Sequence, residues 1–269
     1  MSKLIVENIM YGPFSHQLAD IYLAKSRQKL PVLLVLHDGY FLGGSKNDEE
    51  IGYFKNFTKA NFHVIYADYI SALNEKWPVQ VEDVYYLLQF VREHANEYNF
   101  DEENVIIAGF ESGATIALMA ANNWPTQIRK IIAINPITDF SMQTQNETLS
   151  LGTLRIIFKL SNKMFDKYLD RMYEMPEEAL LGFNLYGNLE LARQLSPITQ
   201  VNPDLPKMLI YQTTPHTLSR GFDTIRYANI VDAQCGYGHV EMYFTTPTNH
   251  QYMFLHTRKT TNQILTFLK

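Results

Sequence analysis

Five short, unbroken apolar runs recur along this chain: Leu30–His37 (LPVLLVLH), Phe62–Asp68 (FHVIYAD), Val105–Ala108 (VIIA), Lys130–Asn135 (KIIAIN) and Lys207–Gln212 (KMLIYQ). A strand that is apolar at every position, rather than at alternate ones, leaves no face for water. It must be covered on both sides, as in a parallel sheet between helices. Between the runs the spacing changes. Over Pro78–Tyr98, Val81, Val84, Tyr85, Leu88 and Val91 recur at three and four residues, the period of a helix with one apolar face. Pro78 suits a first helical turn, where its missing N–H costs nothing. Ser112–Asn122, Thr224–Ala233 and Thr257–Lys269 also read as helices, and His239–Thr245 as one more strand. Such alternation predicts an α/β protein: a mostly parallel central sheet with helices on both faces. A length of 269 residues fits one open domain over 1–269.

Residues 140–195 break the alternation. They hold no convincing strand, but place Met164, Phe165, Tyr168, Leu169, Met172 and Tyr173 at helical spacing, with a further helical stretch over Glu190–Leu195. A small helical cap over the carboxyl edge of the sheet and an ordinary pair of packing helices both fit. Composition excludes several classes. With 46% apolar and 19% charged residues the chain is too apolar for disorder. A net charge of −5 gives no basic surplus for nucleic acid. No run approaches the ~18 apolar residues of a spanning helix. Cys235 is the one cysteine, so no intramolecular disulfide and no cysteine zinc cage is expected, and no metal or cofactor motif is present. These features predict a cytoplasmic protein without a cofactor; the oligomeric state stays open.

In open α/β sheets, sites gather where strands end at their carboxyl side. The first run leads into His37-Asp38-Gly39-Tyr40-Phe41-Leu42-Gly43-Gly44-Ser45, whose glycines let backbone N–H groups face a cleft. The third leads into Gly109-Phe110-Glu111-Ser112-Gly113 and a small-residue helix, a strand-to-helix turn of nucleophile-elbow shape. After the last strand stands Pro247-Thr248-Asn249-His250.

In this order the three stretches resemble the α/β-hydrolase fold, and within it the bacterial esterase/lipase group related to hormone-sensitive lipase. The likeness runs from about Pro31 to the C-terminus and takes in Asn135-Pro136-Ile137-Thr138-Asp139 and Ser196-Pro197. It implies hydrolysis of small carboxylic esters, with a small acyl or ester ligand as partner. His37-Asp38-Gly39-Tyr40 stands where that group has His-Gly-Gly-Gly. The resemblance therefore implies an oxyanion hole from the backbone N–H groups of Gly39, Tyr40 and Ser112, an elbow at Glu111, and a catalytic histidine at His250.

Two departures change the expected activity. Aligned on its glycines, the elbow has Glu111 where the family carries serine, and Ser112 falls one position later. At the start of a helix that shift turns a side chain by about 100°, away from the nucleophile's place. The second departure is the acid: no carboxylate follows the Lys207–Gln212 run until Asp223, which suits the start of the next helix. Asp139 could reach His250 from a neighbouring strand end or serve as a turn residue. Some α/β-hydrolases, the haloalkane dehalogenases and epoxide hydrolases, use Asp at the elbow as a carboxylate nucleophile. The longer Glu111 is expected instead to turn into the oxyanion hole and be held there by Gly39, Tyr40 and Ser112 at the helix N-terminus. The expectation is an esterase/lipase-like pseudoenzyme with a degraded triad and little or no carboxylester hydrolase activity, binding a small apolar or acyl ligand. The alternative is a working hydrolase using Glu111 or Ser112 with His250; a pure interaction protein is a third class. Elsewhere, His37 is expected to support the glycine loop, Asp38 to bond within it, His63 to lie in the core and His216 in a solvated loop. His239 and His256 have no readable partner.

Overall fold

A computed structural model describes residues 4–141, 189–213, 218–245 and 252–269. In it the apolar runs lie side by side. Strands β3 (Leu30–Leu36), β4 (His63–Ala67), β5 (Phe100–Phe110), β6 (Lys130–Ile134) and β7 (Lys207–Thr213) are parallel neighbours in the order β4-β3-β5-β6-β7. Strand β8 (Val240–Thr245) continues the sheet in parallel beyond β7.

Successive residues of each run enter opposite cores, which is why the runs carry no polar alternation. Val32, Leu34, Ile107, Ile131 and Ile210 belong to one cluster, and Leu33, Val35, Ile106, Ile132 and Leu209 to the other. Fully burying each such side chain contributes about 1.5–3 kcal/mol. Helices α1 (Val79–Glu93) and α3 (Ser112–Asn123) cover the first face. A 3₁₀ run over Glu49–Ala60 and the closing helix (Arg258–Leu268) cover the second. With the sharp turn between β5 and α3, this sheet is the α/β-hydrolase fold that the resemblance implied.

Several elements differ from the sequence reading. Two antiparallel strands, β1 (Ile5–Met10) and β2 (Leu18–Tyr22), precede the first expected one and pair onto β4. Most of β1 is exposed at the sheet edge, and β2 holds a buried charge, Asp20, so neither shows an apolar run. The helix expected over Pro78–Tyr98 is interrupted at His94, where the ring Nδ1 as well as the backbone N–H reaches the Phe90 carbonyl, each at 3.0 Å. A short α2 (Ala95–Tyr98) follows, ended by left-handed Asn99. Of the expected insertion over 140–195, residues 142–188 lie outside the described residues; α4 (Leu189–Leu195) is its described end. Helix α5 (Leu218–Cys235) is longer at both ends than the expected Thr224–Ala233, and α6 is the closing helix, capped by the Thr257 hydroxyl. Among the described residues no helix is long and apolar enough to cross a membrane.

Candidate active site

Glu111 occupies the turn between β5 and α3 with φ 46° and ψ −106°. Such a backbone costs of order 1–3 kcal/mol and persists only where its surroundings over-determine it. Here they do. The Glu111 N–H donates to the Ile134 carbonyl at 2.8 Å, and its own carbonyl accepts the Thr115 N–H at 3.1 Å. The Thr115 hydroxyl ties α3 to the chain after β6 through Ile137 N–H and C=O, at 2.9 and 3.0 Å. The flanking glycines are required by close approach. A Cβ on Gly109 would lie 2.4 Å from the Gly113 carbonyl oxygen, and one on Gly113 2.3 Å from that of His37. The same contact brings the loop after β3 against the elbow. Glu111 is buried, only 5% exposed.

The loop after β3 is held from below. The Lys46 ammonium, buried, donates to Asp20 Oδ1 at 2.8 Å and Asn8 Oδ1 at 2.9 Å, and the Lys46 N–H donates to Asp68 Oδ1 at 2.6 Å. His37 is buried and stacks on Tyr69 with ring centroids 4.1 Å apart. Its Nδ1 lies 2.6 Å from the Asp38 carbonyl oxygen, which can only accept, so Nδ1 carries the proton. Burial pushes the imidazole below its ordinary pKa, more than the nearby carboxylates raise it. His37 is thus the neutral support of the loop that the sequence suggested.

The Asp38 carboxylate faces the elbow from the loop after β3, within reach of the Tyr40 N–H and the Ser112 hydroxyl. Tyr40 N lies 3.3 Å from Asp38 Oδ1, and the Tyr252 hydroxyl donates to Oδ2 at 3.2 Å. Asp38 bonds within its loop, as expected, and also reaches Tyr252 and the Ser112 hydroxyl. Within the loop its short side chain folds back onto the N–H two residues on, as Asx turns do. Burial pushes the Asp38 carboxyl above the usual carboxylate range, outweighing the hydrogen bonds that pull it down.

Ser112 is fully buried. Its Oγ lies 3.0 Å from the Tyr69 hydroxyl and donates to Asp38 Oδ1 at 3.4 Å; the Tyr69 hydroxyl also donates to the His37 carbonyl at 3.1 Å. Asp139 accepts the Ser141 N–H at 2.8 Å and meets Arg226 at 3.4 Å; Asp223 lies in α5 beside the same arginine. The His63 Nδ1 accepts the Ala24 N–H in the core, His239 Nε2 meets the Leu205 carbonyl, and His256 packs edge-on against Tyr53. His216, His250 and Pro247-Thr248-Asn249 lie outside the described residues. Among the described residues no cluster of His, Cys, Asp or Glu is placed to hold a metal ion.

The structure therefore brings together Gly39, Tyr40, Glu111 and Ser112. It adds Asp38, Tyr69, Tyr252 and Lys46, to which the sequence reading gave no role in the site or only a local one. Tyr69 stands two residues after β4, at a strand end, and that position was its available signal. Lys46 and Tyr252 carry none.

Comparison with known proteins agrees with the fold. Esterase LipQ of Mycobacterium tuberculosis is 22% identical over 250 residues, covering 84% of this chain and 56% of LipQ. The chain spans between 34% and 56% of the length of the curated relatives it matches. A truncated carbohydrate esterase from gut microbiota superposes with a TM-score of 0.77 at 17% identity, over 99% of this chain and 95% of that one. A Pyrobaculum calidifontis esterase gives 0.70 at 17%, over 98% and 83%. At these identities the structural likeness shows the fold alone. The family model described as BD-FAE matches residues 19–218, more than half of the chain.

Proposed function

The chain belongs to the BD-FAE family and is an esterase-like α/β-hydrolase, and from that premise we propose a cleft that takes a small acyl or ester ligand with little hydrolysis of it. The observation that carries this reading is Glu111 at the elbow. In a serine hydrolase the hydroxyl gives its proton to histidine and forms an ester with the acyl group. A carboxylate attacks without a base to deprotonate it. Its attack on an ester carbonyl, however, gives a tetrahedral intermediate that must expel either an alkoxide or the glutamate carboxylate. The carboxylate is much the weaker base, so the intermediate reverts. The serine nearby does not replace it: Ser112 Oγ is buried between Tyr69 and Asp38.

A second reading, a working hydrolase, is supported by the names of the relatives, several of which are esterases. The comparisons weigh on this side. In that reading Glu111 is a carboxylate nucleophile and His250 activates the water that releases the product, or Ser112 acts after a local rearrangement.

Burst kinetics with a short-chain aryl ester separate the two. The first reading expects the wild type near the uncatalysed rate, a gain in Glu111→Ser, and loss of that gain when His250→Ala is added, because general-base help contributes about 10²–10⁴ in rate. Robust wild-type turnover that falls in Glu111→Ser makes Glu111 the working nucleophile. Robust turnover abolished by Ser112→Ala assigns the reaction to Ser112.

A further inference from the structure

We infer that the groove at the amino edge of the sheet, between the β2–β3 connection and α2, is a binding site, and that its ligand is a small amphipathic anion, an apolar tail ending in a carboxylate. The inference is independent of the proposed function, because this groove and the elbow lie at opposite ends of β3. The seven residues of that strand hold them about 20 Å apart, at ~3.3 Å per residue. The groove holds about 700 Å³, within the ~300–1,000 Å³ of small-molecule sites. Leu4, Val6, Leu23, Ala24 and Tyr98 form apolar walls, and the exposed Lys25 and Arg27 bring two positive charges to it.

Each half of that ligand answers something the fold leaves open. Among the described residues neither Lys25 nor Arg27 forms an ion pair, in a chain whose net charge is −5. The nearby carboxylates face other groups: Glu97, on the groove wall, lies 3.9 Å from His94 Nε2, and Glu102 takes Lys29 at 2.8 Å. Leu4 is 41% exposed, so the apolar wall is left uncovered for a tail. His63 is buried in the inner wall, and its Nδ1 accepts the Ala24 N–H at 3.2 Å, so Nε2 carries the proton. That Nε2–H makes no hydrogen bond among the described residues, although the Asn99 carbonyl favours its proton. The groove therefore has cations and a donor in excess, and an ionised carboxylate is acceptor-only. Its frame is fixed in advance. The Leu23 N–H donates to the Leu4 carbonyl at 2.8 Å, and the Ser26 hydroxyl accepts the Gln28 N–H at 2.9 Å. Little backbone order is left for a ligand to impose.

The probe is octanoate, titrated into the full chain at constant ionic strength and read by two-dimensional amide NMR. Acetate and octanol, run beside it, carry its head and its tail alone. Saturable shifts are expected at Val6, Leu23–Arg27 and Tyr98, with acetate and octanol each needing a higher concentration. Lys25→Ala with Arg27→Ala should weaken octanoate roughly fivefold or more. Both side chains are exposed, and the spectrum itself checks the fold; Arg27→Glu alone serves as a second variant and should also weaken binding. Four results overturn the inference. Absence of saturable shifts in the groove means that it takes no such ligand. Shifts at Gly39, Tyr40 and Ser112 alone place octanoate at the elbow, which favours the proposed acyl cleft and removes this site. Octanol that matches octanoate, with the variants unchanged, reduces the groove to an apolar patch. Sedimentation with phosphatidylglycerol vesicles without binding of dissolved octanoate makes it a membrane contact. Esterase activity in the wild type would overturn the proposed function and leave the groove's shifts unaffected.

Discussion

Replacing Lys46 by methionine should destabilise the whole domain, because it leaves a buried carboxylate without its counter-charge. Lys46 and Asp20 are 3% and 4% exposed, and their charged atoms are 2.8 Å apart. Among the described residues Asp20 would keep the Asn8 N–H, at 2.8 Å. Removing one partner of a buried pair costs about 3–5 kcal/mol, a large part of the ~5–15 kcal/mol that holds a typical domain together. At roughly 2–4 °C per kcal/mol for a chain of this size, the melting temperature should fall by about 6–20 °C. Replacing both partners, Lys46→Met with Asp20→Asn, should recover much of the loss, since no charge is then left unpaired. The assay is thermal and denaturant unfolding of wild type, both single variants and the double variant. If Lys46→Met melts within the range of an exposed ion pair, about 1 kcal/mol or less, the pair is not desolvated and the anchoring of the glycine loop is wrong.

Gly113→Ala should disrupt the elbow, because the new Cβ would lie 2.3 Å from the His37 carbonyl oxygen and 2.7 Å from that of Leu36, both backbone atoms that cannot swing aside. A loss of at least about 1–3 kcal/mol is expected in denaturant unfolding; wild-type stability would show that α3 and β3 separate easily. Asp38 predicts a pH dependence. Its folded pKa is raised by burial, so its contribution to stability is fully present below the ordinary carboxyl range and is lost as pH rises through the folded value. Asp38→Asn lacks that loss. Its denaturation midpoint relative to wild type should therefore climb from acid toward neutral pH and then level off; a difference that is flat or runs the other way contradicts the assignment.

The central sheet was legible because its strands are buried on both faces, and runs such as LPVLLVLH admit few other placements. The elbow was legible because close packing at Gly109 and Gly113 leaves no room for side chains. The N-terminal strands were not. An exposed edge strand and a strand built around the buried Asp20 offer no periodicity, and the stabilising partner of Asp20 lies 26 residues away. The site was half legible. Its loop and elbow follow from the strand ends, but the side-chain contacts of Asp38 depend on reach across the fold. Tyr252 reaches Asp38 across 214 residues of chain, a pairing that no local pattern carries.

The account turns on whether Glu111 is a bystander or a nucleophile. Incubating wild type with excess short-chain aryl ester in heavy-oxygen water, then measuring the mass of the peptide containing Glu111, tests this at the atom concerned. A carboxylate that attacks the ester expels the aryloxide and forms a mixed anhydride, and water that opens it at the Glu111 carbonyl leaves a solvent oxygen in that side chain. The peptide is expected to keep its ordinary mass throughout the incubation; heavy oxygen in the Glu111 side chain would contradict a bystander role.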